Sequence, residues 1–227
     1  MYFTKSKLLA GIIILSSATA CSILPNEVGG KWRSAYLGIE GYFFGYADYP
    51  ISRSMIDSIP YASLKMKIGK GPAGLLILKE EKNNKYVWAS ADGAFFSITS
   101  GRIVQTQGLV NNLENYFISN DDANLINLID KGSLPKTSYR TISLTNPEVK
   151  SLRIKVITSY KGKQEIEILG KKVKTILIEE KVSNDYIQWN HTNLFWVDPN
   201  TGYVWKSIQQ IAPNLPSIEI QVLKKPA

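Results

Sequence analysis

The side chains best suited to catalysis are few in this chain of 227 residues, and histidine is the scarcest of them. His191 is the single histidine, so a metal site built from several histidines is excluded, and a Ser-His-Asp arrangement has one candidate base. His191 lies in Asn190-His191-Thr192, between two predicted strands. We therefore expect it in a surface loop rather than in an active site.

Two carboxylates match a glycosidase by type but not by position. Glycoside hydrolysis needs two carboxyl groups that face each other across a cleft. Asp92 comes directly before Gly93 and Asp198 directly before Pro199, and both positions favour bonding of the side chain to the backbone of a turn. Gly69-x-Gly71 is too short for a phosphate loop. We expect no catalytic residue, no metal and no cofactor.

The aromatic side chains near the C-terminus permit two interpretations. They flank the predicted turn 198–202 and are Trp189, Phe195, Trp196, Tyr203 and Trp205. If this turn closes a hairpin, several rings share one face of a sheet. Such rings usually belong to a core. Alternatively, they form a platform for sugars, beside which Lys206 and Gln209 would bind acidic or hydroxyl groups.

The N-terminus reads as a signal peptide over residues 1–20. Lys5 and Lys7 precede an apolar run that is too short to cross a bilayer, and small residues follow it. Ala18-Thr19-Ala20 suits ordinary cleavage, which would release a soluble protein. Alternatively, Thr19-Ala20-Cys21 resembles the lipobox of bacterial lipoproteins. Cys21 is the only cysteine, so it has no disulfide partner, and we expect it to be lipidated.

Charge and the signal peptide together limit the partners. The net charge of +8 has two interpretations: a basic surface that is merely solvated, or a preference for acidic partners such as acidic polysaccharide or lipid headgroups. Export argues against nucleic acid. Three acyl chains on Cys21 would anchor the protein stably, because each buried methylene contributes about 0.8 kcal/mol. Ser22, rather than aspartate, follows the cysteine, which by lipoprotein sorting rules indicates the outer membrane.

The rest of the chain predicts a mainly β fold. Residues 21–30 have the composition of a tether, and residues 31–227 are expected to form one domain. About ten short strands separated by turns predict an antiparallel β-sandwich or a strongly curved meander sheet. The strongest signal is the hairpin at Ser100-Gly101. Either a two-residue turn pairs Thr99 with Arg102, or a glycine bulge shifts the pairing by one residue.

The remaining segments are assigned as follows. Spacing of apolar residues predicts one or two short helices, at Lys31–Tyr46 and at Asp121–Asp130. Ser52–Ile59 is expected to be a polar connection, Asn111–Tyr116 is ambiguous, and Ser133–Asn146 is expected to be rich in turns. Turns are also predicted at Asn83-Asn84, Gly162 and Gly170.

Several motifs, taken in order, resemble the YjbF/GfcB family of lipoproteins over nearly the whole mature chain. They are Cys21, Pro60-Tyr61-Ala62-Ser63, Trp88-x-Ser90-Ala91-Asp92, Gly101-Arg102, Gly108-Leu109 with Asn112-Leu113, and Phe195-Trp196-Val197-Asp198-Pro199 to Gly202-x-Val204-Trp205-Lys206-Ser207-x-Gln209. Ala18 and the segment from Asn120 to Pro147 depart from the family pattern. The family is associated with capsule and exopolysaccharide operons of Gram-negative bacteria.

The resemblance implies a mostly β, outer-membrane lipoprotein that faces the periplasm and assists capsule or exopolysaccharide assembly or secretion without catalysis. Its expected partners are the membrane, acidic polysaccharide and other export proteins. The expected ligand or partner surface comprises Asp92, Arg102, Trp205, Lys206 and Gln209. Two alternatives stay open: a polysaccharide-modifying enzyme, and a structural envelope protein that acts through a sheet edge.

Overall fold

The computed structural model describes residues 48, 50–119, 125, 135–213 and 215–226, which lie within the compact unit Gly45–Ala227. The expected signal peptide, Cys21, the expected tether and the helix expected at Lys31–Tyr46 lie outside the described residues. The helix expected at Asp121–Asp130 also lies outside them, apart from Leu125. The expected division of the chain into segments therefore stays a prediction.

The described residues form one helix and twelve strands. Helix α1 spans Arg53–Ser58, and the strands are β1 (Ser63–Ile68), β2 (Gly74–Lys82), β3 (Lys85–Ala89), β4 (Phe95–Thr99), β5 (Arg102–Gln107), β6 (Leu113–Phe117), β7 (Lys136–Thr145), β8 (Glu148–Ile168), β9 (Lys171–Asn184), β10 (Trp189–Val197), β11 (Val204–Gln209) and β12 (Ile218–Lys224). Nothing in the described part of the chain forms a helix of the length and apolarity needed to span a bilayer.

All twelve strands belong to one sheet, in the order β5-β4-β3-β2-β1-β12-β11-β10-β9-β8-β7-β6, and the paired neighbours are antiparallel. Strands β5 and β6 are opposite edges of this order, yet only residues 108–112 join them. A flat sheet of this size would be about 50 Å wide, whereas that connection reaches about 20 Å. The sheet therefore curls until it is nearly closed. The mainly β class is confirmed, in the form of the curved meander.

Side chains connect the two edges where no strand ladder does. The amide of Leu113 donates to Thr106 Oγ1 at 2.9 Å, and the amide of Leu109 donates to Asn112 Oδ1 at 3.0 Å. The amide of Asn112 in turn donates to Thr145 Oγ1 at 2.9 Å. The carbonyl of Asn112 also accepts from the amide of Thr145 at 3.0 Å, so side chains and one main-chain bond together fix the β5–β6 connection.

Alternation of burial along the strands creates three hydrophobic clusters. The largest contains Leu64, Trp88, Phe96, Ile103 and Val156 among its buried members. The second comprises Leu125, Ile176, Ile178, Phe195, Val197 and Val204. The third joins Ile56 of α1 to Ile168 and Leu223. The helix therefore packs on the sheet through a cluster of its own.

The prediction of a polar connection at Ser52–Ile59 is wrong, because this segment contains helix α1. Ser52 caps the helix, and its hydroxyl accepts from the amide of Met55 at 3.2 Å. Ile56 is fully buried, and Arg53 donates to the carbonyl of Ile168 at 3.0 Å. Tertiary packing stabilises a helix that is too short to form alone.

Two further expectations are also wrong. Residues 136–145 of the segment expected to be rich in turns form β7, in which the alternating residues Arg140, Ile142 and Leu144 are buried. Gly162 does not end a strand, because β8 continues through it to Ile168. Its φ of +110° coincides with a shift of register after Tyr160, which is the signature of a β-bulge.

The hairpin predictions are confirmed. Thr99 pairs with Arg102 and Ile98 with Ile103, so the turn at Ser100-Gly101 has two residues, with φ values of +49° and +77°. The turns at Asn83-Asn84 and at Gly170 likewise join directly paired strands. Two successive residues with positive φ are the geometry that matches the right-handed twist of a hairpin.

Candidate functional site

A cavity of about 500 Å³ lies beside the β4–β5 turn, the beginning of β11 and the end of β12. Its volume falls within the range of about 300–1,000 Å³ that is typical of ligand sites. Ser100 and Gly101 contribute from the turn, residues 201–207 from β11 and the segment before it, and Val222 and Lys225 from the C-terminal end. The cavity is thus built from segments that are far apart in sequence.

Four aromatic side chains line this cavity: Tyr86, Trp88, Tyr203 and Trp205. The rings of Tyr203 and Trp205 meet edge to face, with centroids 5.4 Å apart and an angle of 76° between their planes. This is a favourable geometry for an aromatic pair. Trp88 belongs to the largest hydrophobic cluster, whereas Trp205 packs against the cluster around α1.

A bulge places Trp205 at the cavity. Trp196 pairs with Lys206 and Val197 pairs with Val204, so Trp205 is the additional residue on β11. A bulge of this kind redirects side chains and increases the local twist. The bulge in the β10–β11 pairing therefore coincides with Trp205, one of the two rings of the Tyr203–Trp205 pair.

Two lysines of the cavity differ in their electrostatic surroundings. Lys206 Nζ lies 2.6 Å from a carboxylate oxygen of Glu219, so its charge is paired. Lys225 Nζ lies 4.3 Å from the ring centroid of Tyr203 and 4.2 Å from that of Trp205. No described carboxylate lies within ion-pair distance of Lys225. Its ammonium is thus held by two aromatic faces rather than by an acid.

The two tyrosines are neutral at physiological pH. Burial raises the pKa of Tyr203, and the neighbouring Tyr86 raises it further. Burial also raises the pKa of Tyr86, helped by the carboxylate of Glu81, its partner across the β2–β3 pair. A neutral phenol both donates and accepts hydrogen bonds. The cavity therefore offers groups that suit hydroxyl-bearing ligands.

The β4–β5 turn packs closely against β11. A Cβ atom at Gly101 would lie 2.3 Å from Cγ2 of Val204, so only glycine fits there. Gln209 fixes the same turn, because its Nε2 donates to the carbonyl of Gly101 at 2.8 Å and its Oε1 accepts from the amide of Ile103 at 3.1 Å. One wall of the cavity is therefore held in place by a buried amide.

A buried ionic cluster lies in the interior of the sheet. Glu180 Oε1 accepts from Arg102 Nη2 and from Arg140 Nη2, each at 2.7 Å, and Arg140 Nη1 donates to the Tyr116 hydroxyl at 2.9 Å. Burial alone would raise the pKa of Glu180. The charges and hydrogen bonds of Arg102 and Arg140 outweigh burial and lower this pKa to about 2.

His191 lies in strand β10, so the surface loop expected there is wrong. Its ring stacks on that of Trp189, with centroids 4.5 Å apart. Burial lowers the pKa of His191 to about 4. The histidine is therefore an uncharged part of the packed interior at neutral pH.

The five residues of the expected surface do not form one surface. Trp205 and Lys206 line the cavity. Arg102 and Gln209 are buried, which corrects their assignment to a surface. Asp92 is exposed in the β3–β4 turn, where the hydroxyl of Ser90 donates to it and lowers its pKa. Only Asp92, Trp205 and Lys206 therefore remain available to a ligand.

The C-terminal aromatics occupy three different environments. Trp189 and Phe195 are buried, as the core interpretation predicts, whereas Trp196 donates from Nε1 to Gln164 Oε1 at 2.7 Å. Tyr203 and Trp205 line the cavity.

Sequence reasoning did not associate Tyr86, Trp88 and Lys225 with the site. The alternation of Tyr86 with Trp88 on one strand was the only available signal, and nothing in the sequence indicated Lys225.

Acidic side chains are absent from the described lining of the cavity. Asp198 lies in the neighbouring turn, where it accepts from the amides of Asn200 and Thr201 at 2.9 and 3.1 Å, so its predicted turn role is confirmed. Among the described residues, no group of three histidine, cysteine, aspartate or glutamate side chains is arranged to hold a metal ion. The described chemistry of the cavity is therefore aromatic, hydroxyl and cationic.

Comparison with known proteins identifies the class to which this structure belongs. The model of the YjbF family, described as group 4 capsule polysaccharide lipoprotein gfcB, YjbF, matches residues 38–223. The chain therefore belongs to the YjbF family.

Individual relatives agree with this assignment. The chain is 25% identical to the uncharacterized lipoprotein GfcB of Escherichia coli K12, over 80% of this chain and 84% of GfcB. It is 23% identical to the uncharacterized lipoprotein YjbF of the same organism, over 94% of this chain and 95% of YjbF. The crystal structure of the hypothetical lipoprotein YmcC, also from E. coli K12, shares the fold, with a TM-score of 0.68 and 21% identity over 90% of this chain and 99% of YmcC.

Proposed function

We propose that this protein is a lipoprotein of the outer membrane that faces the periplasm and assists capsule or exopolysaccharide assembly or secretion by binding the polysaccharide, without catalysis. The observation that carries this proposal is the aromatic cavity beside β11, in a member of a family described as capsule polysaccharide lipoproteins. Cys21 would carry the lipid anchor.

The chemistry of the cavity supports saccharide binding. The aromatic side chains that line the cavity offer apolar surface for the C–H groups of a sugar ring, and the phenol groups of Tyr86 and Tyr203 can bond to its hydroxyls. Hydrolysis by acid–base chemistry needs two facing carboxyl groups. The described lining supplies none, so a binding role fits the cavity better than a hydrolytic one.

The anchor is supported by the names of the relatives and by the sequence. Both E. coli relatives are named lipoproteins and are covered over most of their length. Cys21 is the single cysteine and follows Ala18-Thr19-Ala20. Ser22 at the next position is the basis for placing the protein at the outer membrane.

Two variants test the anchor and its location. We expect Cys21→Ala to move the protein from the membrane fraction to the soluble periplasmic fraction, because the thiol that carries the lipid is removed. Ser22→Asp, which keeps the thiol, should leave the protein in membranes but shift it to the inner membrane. Retention of Cys21→Ala in membranes would contradict the proposed anchor.

The pathway is tested by deleting the gene and measuring surface polysaccharide under conditions that induce it. We expect a loss that wild-type protein restores and that Cys21→Ala restores poorly. A normal amount of polysaccharide in the deletion strain would contradict the proposed function.

A further inference from the structure

We propose that the cavity beside β11 selects sugar residues that carry a negative charge, and that the ammonium group of Lys225 binds that charge. This inference rests on the proposed function, because it assumes that the ligand is a saccharide. It adds the chemical class of the sugar and the residue that recognises it.

The two lysines of the cavity differ in what surrounds their ammonium groups. The Nζ atom of Lys225 lies 4.3 and 4.2 Å from the ring centroids of Tyr203 and Trp205, and no described carboxylate is within ion-pair distance. The neighbouring Lys206 is different, because Glu219 Oε1 lies 2.6 Å from its Nζ. Lys225 therefore contributes more positive charge to the cavity than Lys206 does, because the charge of Lys206 is already paired with Glu219.

The described lining of the cavity carries positive charge only. The described residues around the cavity include two lysines and no aspartate or glutamate. Lys225 also acts electrostatically on Asp198 in the neighbouring turn. Burial raises the pKa of Asp198, whereas the amides of Asn200 and Thr201 lower it, and Lys225 lowers it by less than these amides do. The carboxylate of Asp198 is thus committed to its turn, and the potential within the cavity favours an anion.

The ammonium group of Lys225 has a fixed position beside the rings. Lys225 follows β12 directly, and β12 is paired on both sides, with β1 and β11. The ammonium contacts the rings of Trp205, which lies in β11, and of Tyr203, which directly precedes β11. These two rings meet edge to face. A ligand that enters the cavity and contacts these rings beside Lys225 would therefore meet the ammonium group at a defined place. A negatively charged substituent on the sugar, either a carboxylate or a phosphate, suits this arrangement.

The experiment uses the full mature chain in detergent and fragments of the producing strain's own surface polysaccharide. Three forms of the fragments are titrated by calorimetry: native, carboxyl-reduced and dephosphorylated. We expect native fragments to bind most tightly, with an affinity that falls as salt is added. The treatment that weakens binding identifies the carboxylate or the phosphate as the source of the charge.

Variants assign the charge to its residue. Lys225→Gln should weaken binding of native fragments about two- to fivefold, the scale of one partly exposed ion pair, and should leave the neutral forms unchanged. Lys181→Gln, at an exposed position of β9 outside the cavity, should have no effect on either. Equal melting temperatures would show that both variants are folded.

The indole N–H resonances show where the fragments bind. Native fragments should shift the signals of Trp88 and Trp205, which line the cavity, more than that of Trp196, whose Nε1 is bonded to Gln164. Equal binding of native and neutral fragments, or of wild type and Lys225→Gln, would overturn this inference and leave the proposed function intact. Failure of every form to bind would overturn both.

Discussion

The carboxylate of Glu180 holds the guanidinium of Arg140 by two hydrogen bonds of 2.7 and 2.9 Å, and neither side chain is exposed to solvent. Arg102 bonds to the same carboxylate from β5, one edge of the sheet. Arg140 lies on β7 and bonds to Tyr116 on β6, the other edge. The ionic cluster therefore links the two sides of the gap where the strands are not paired.

Glu180→Gln tests the importance of this link. The variant removes the carboxylate that two buried guanidinium groups bind, so we expect the free energy of unfolding to fall by about 3–5 kcal/mol. Urea denaturation measures this change. Glu179→Gln is the matched control. The neighbouring Glu179 forms an ion pair with Lys161, whose side chain is 40% exposed to solvent, so this pair is only partly buried. The control should lose less than about 1 kcal/mol, and an equal loss for both variants would contradict the account.

The same carboxylate predicts an acid limit for the fold. The pKa of Glu180 is about 2 in the folded protein, below its ordinary value of 4.5. The unfolded chain therefore takes up a proton first, and the stability that Glu180 contributes is complete above pH 4.5 and is lost as the pH falls towards 2. Thermal melts across this range should show the decline in the wild type. In Glu180→Gln that part of the decline should be missing.

His191 predicts a second decline at higher pH. Its pKa is about 4 in the folded protein against an ordinary value of 6.5, so the unfolded state binds protons more readily between these values. Stability should therefore fall as the pH is lowered from 6.5 to 4. His191→Phe keeps an aromatic ring against Trp189 but cannot be protonated. If this variant shows the same decline as the wild type, another group is responsible.

Gly101 predicts a steric limit at the cavity wall. Gly101→Ala combines a φ of +77° with a Cβ atom 2.3 Å from Val204 Cγ2. Gly93→Ala has a similar φ of +85° but open space around its Cβ, so it should cost only about 1–2 kcal/mol from the backbone. The overlap at Gly101 should add about 1–3 kcal/mol. Chemical denaturation of the two variants gives the comparison, and equal losses would disprove the close packing.

Features that depend on neighbouring residues could be predicted from the sequence. The turns at Asn83-Asn84 and Ser100-Gly101 follow from residues that tolerate positive φ between two apolar runs. The mainly β class follows from the many alternating segments. Helix α1 could not be recognised, because its six residues depend on the burial of Ile56 against Ile168 and Leu223, which are distant in sequence.

The candidate site was predictable only in part, for the same physical reason. Trp205 and Lys206 were identified from an aromatic-rich segment. Arg102 was assigned to a surface because its counter-ion, Glu180, lies 78 residues further along the chain. Lys225 and Tyr86 reach the cavity through the pairing of strands that are far apart in sequence, which no local pattern encodes.

The most direct test of the whole account is the amount of surface polysaccharide in a strain whose only copy of the gene encodes Lys225→Glu. Charge reversal at the cavity should repel a negatively charged sugar, so we predict that polysaccharide falls to the level of the deletion strain, while Lys181→Glu keeps the wild-type amount. Immunoblots of membrane fractions establish that both variants are present at equal levels. A wild-type amount of surface polysaccharide in the Lys225→Glu strain would contradict the account.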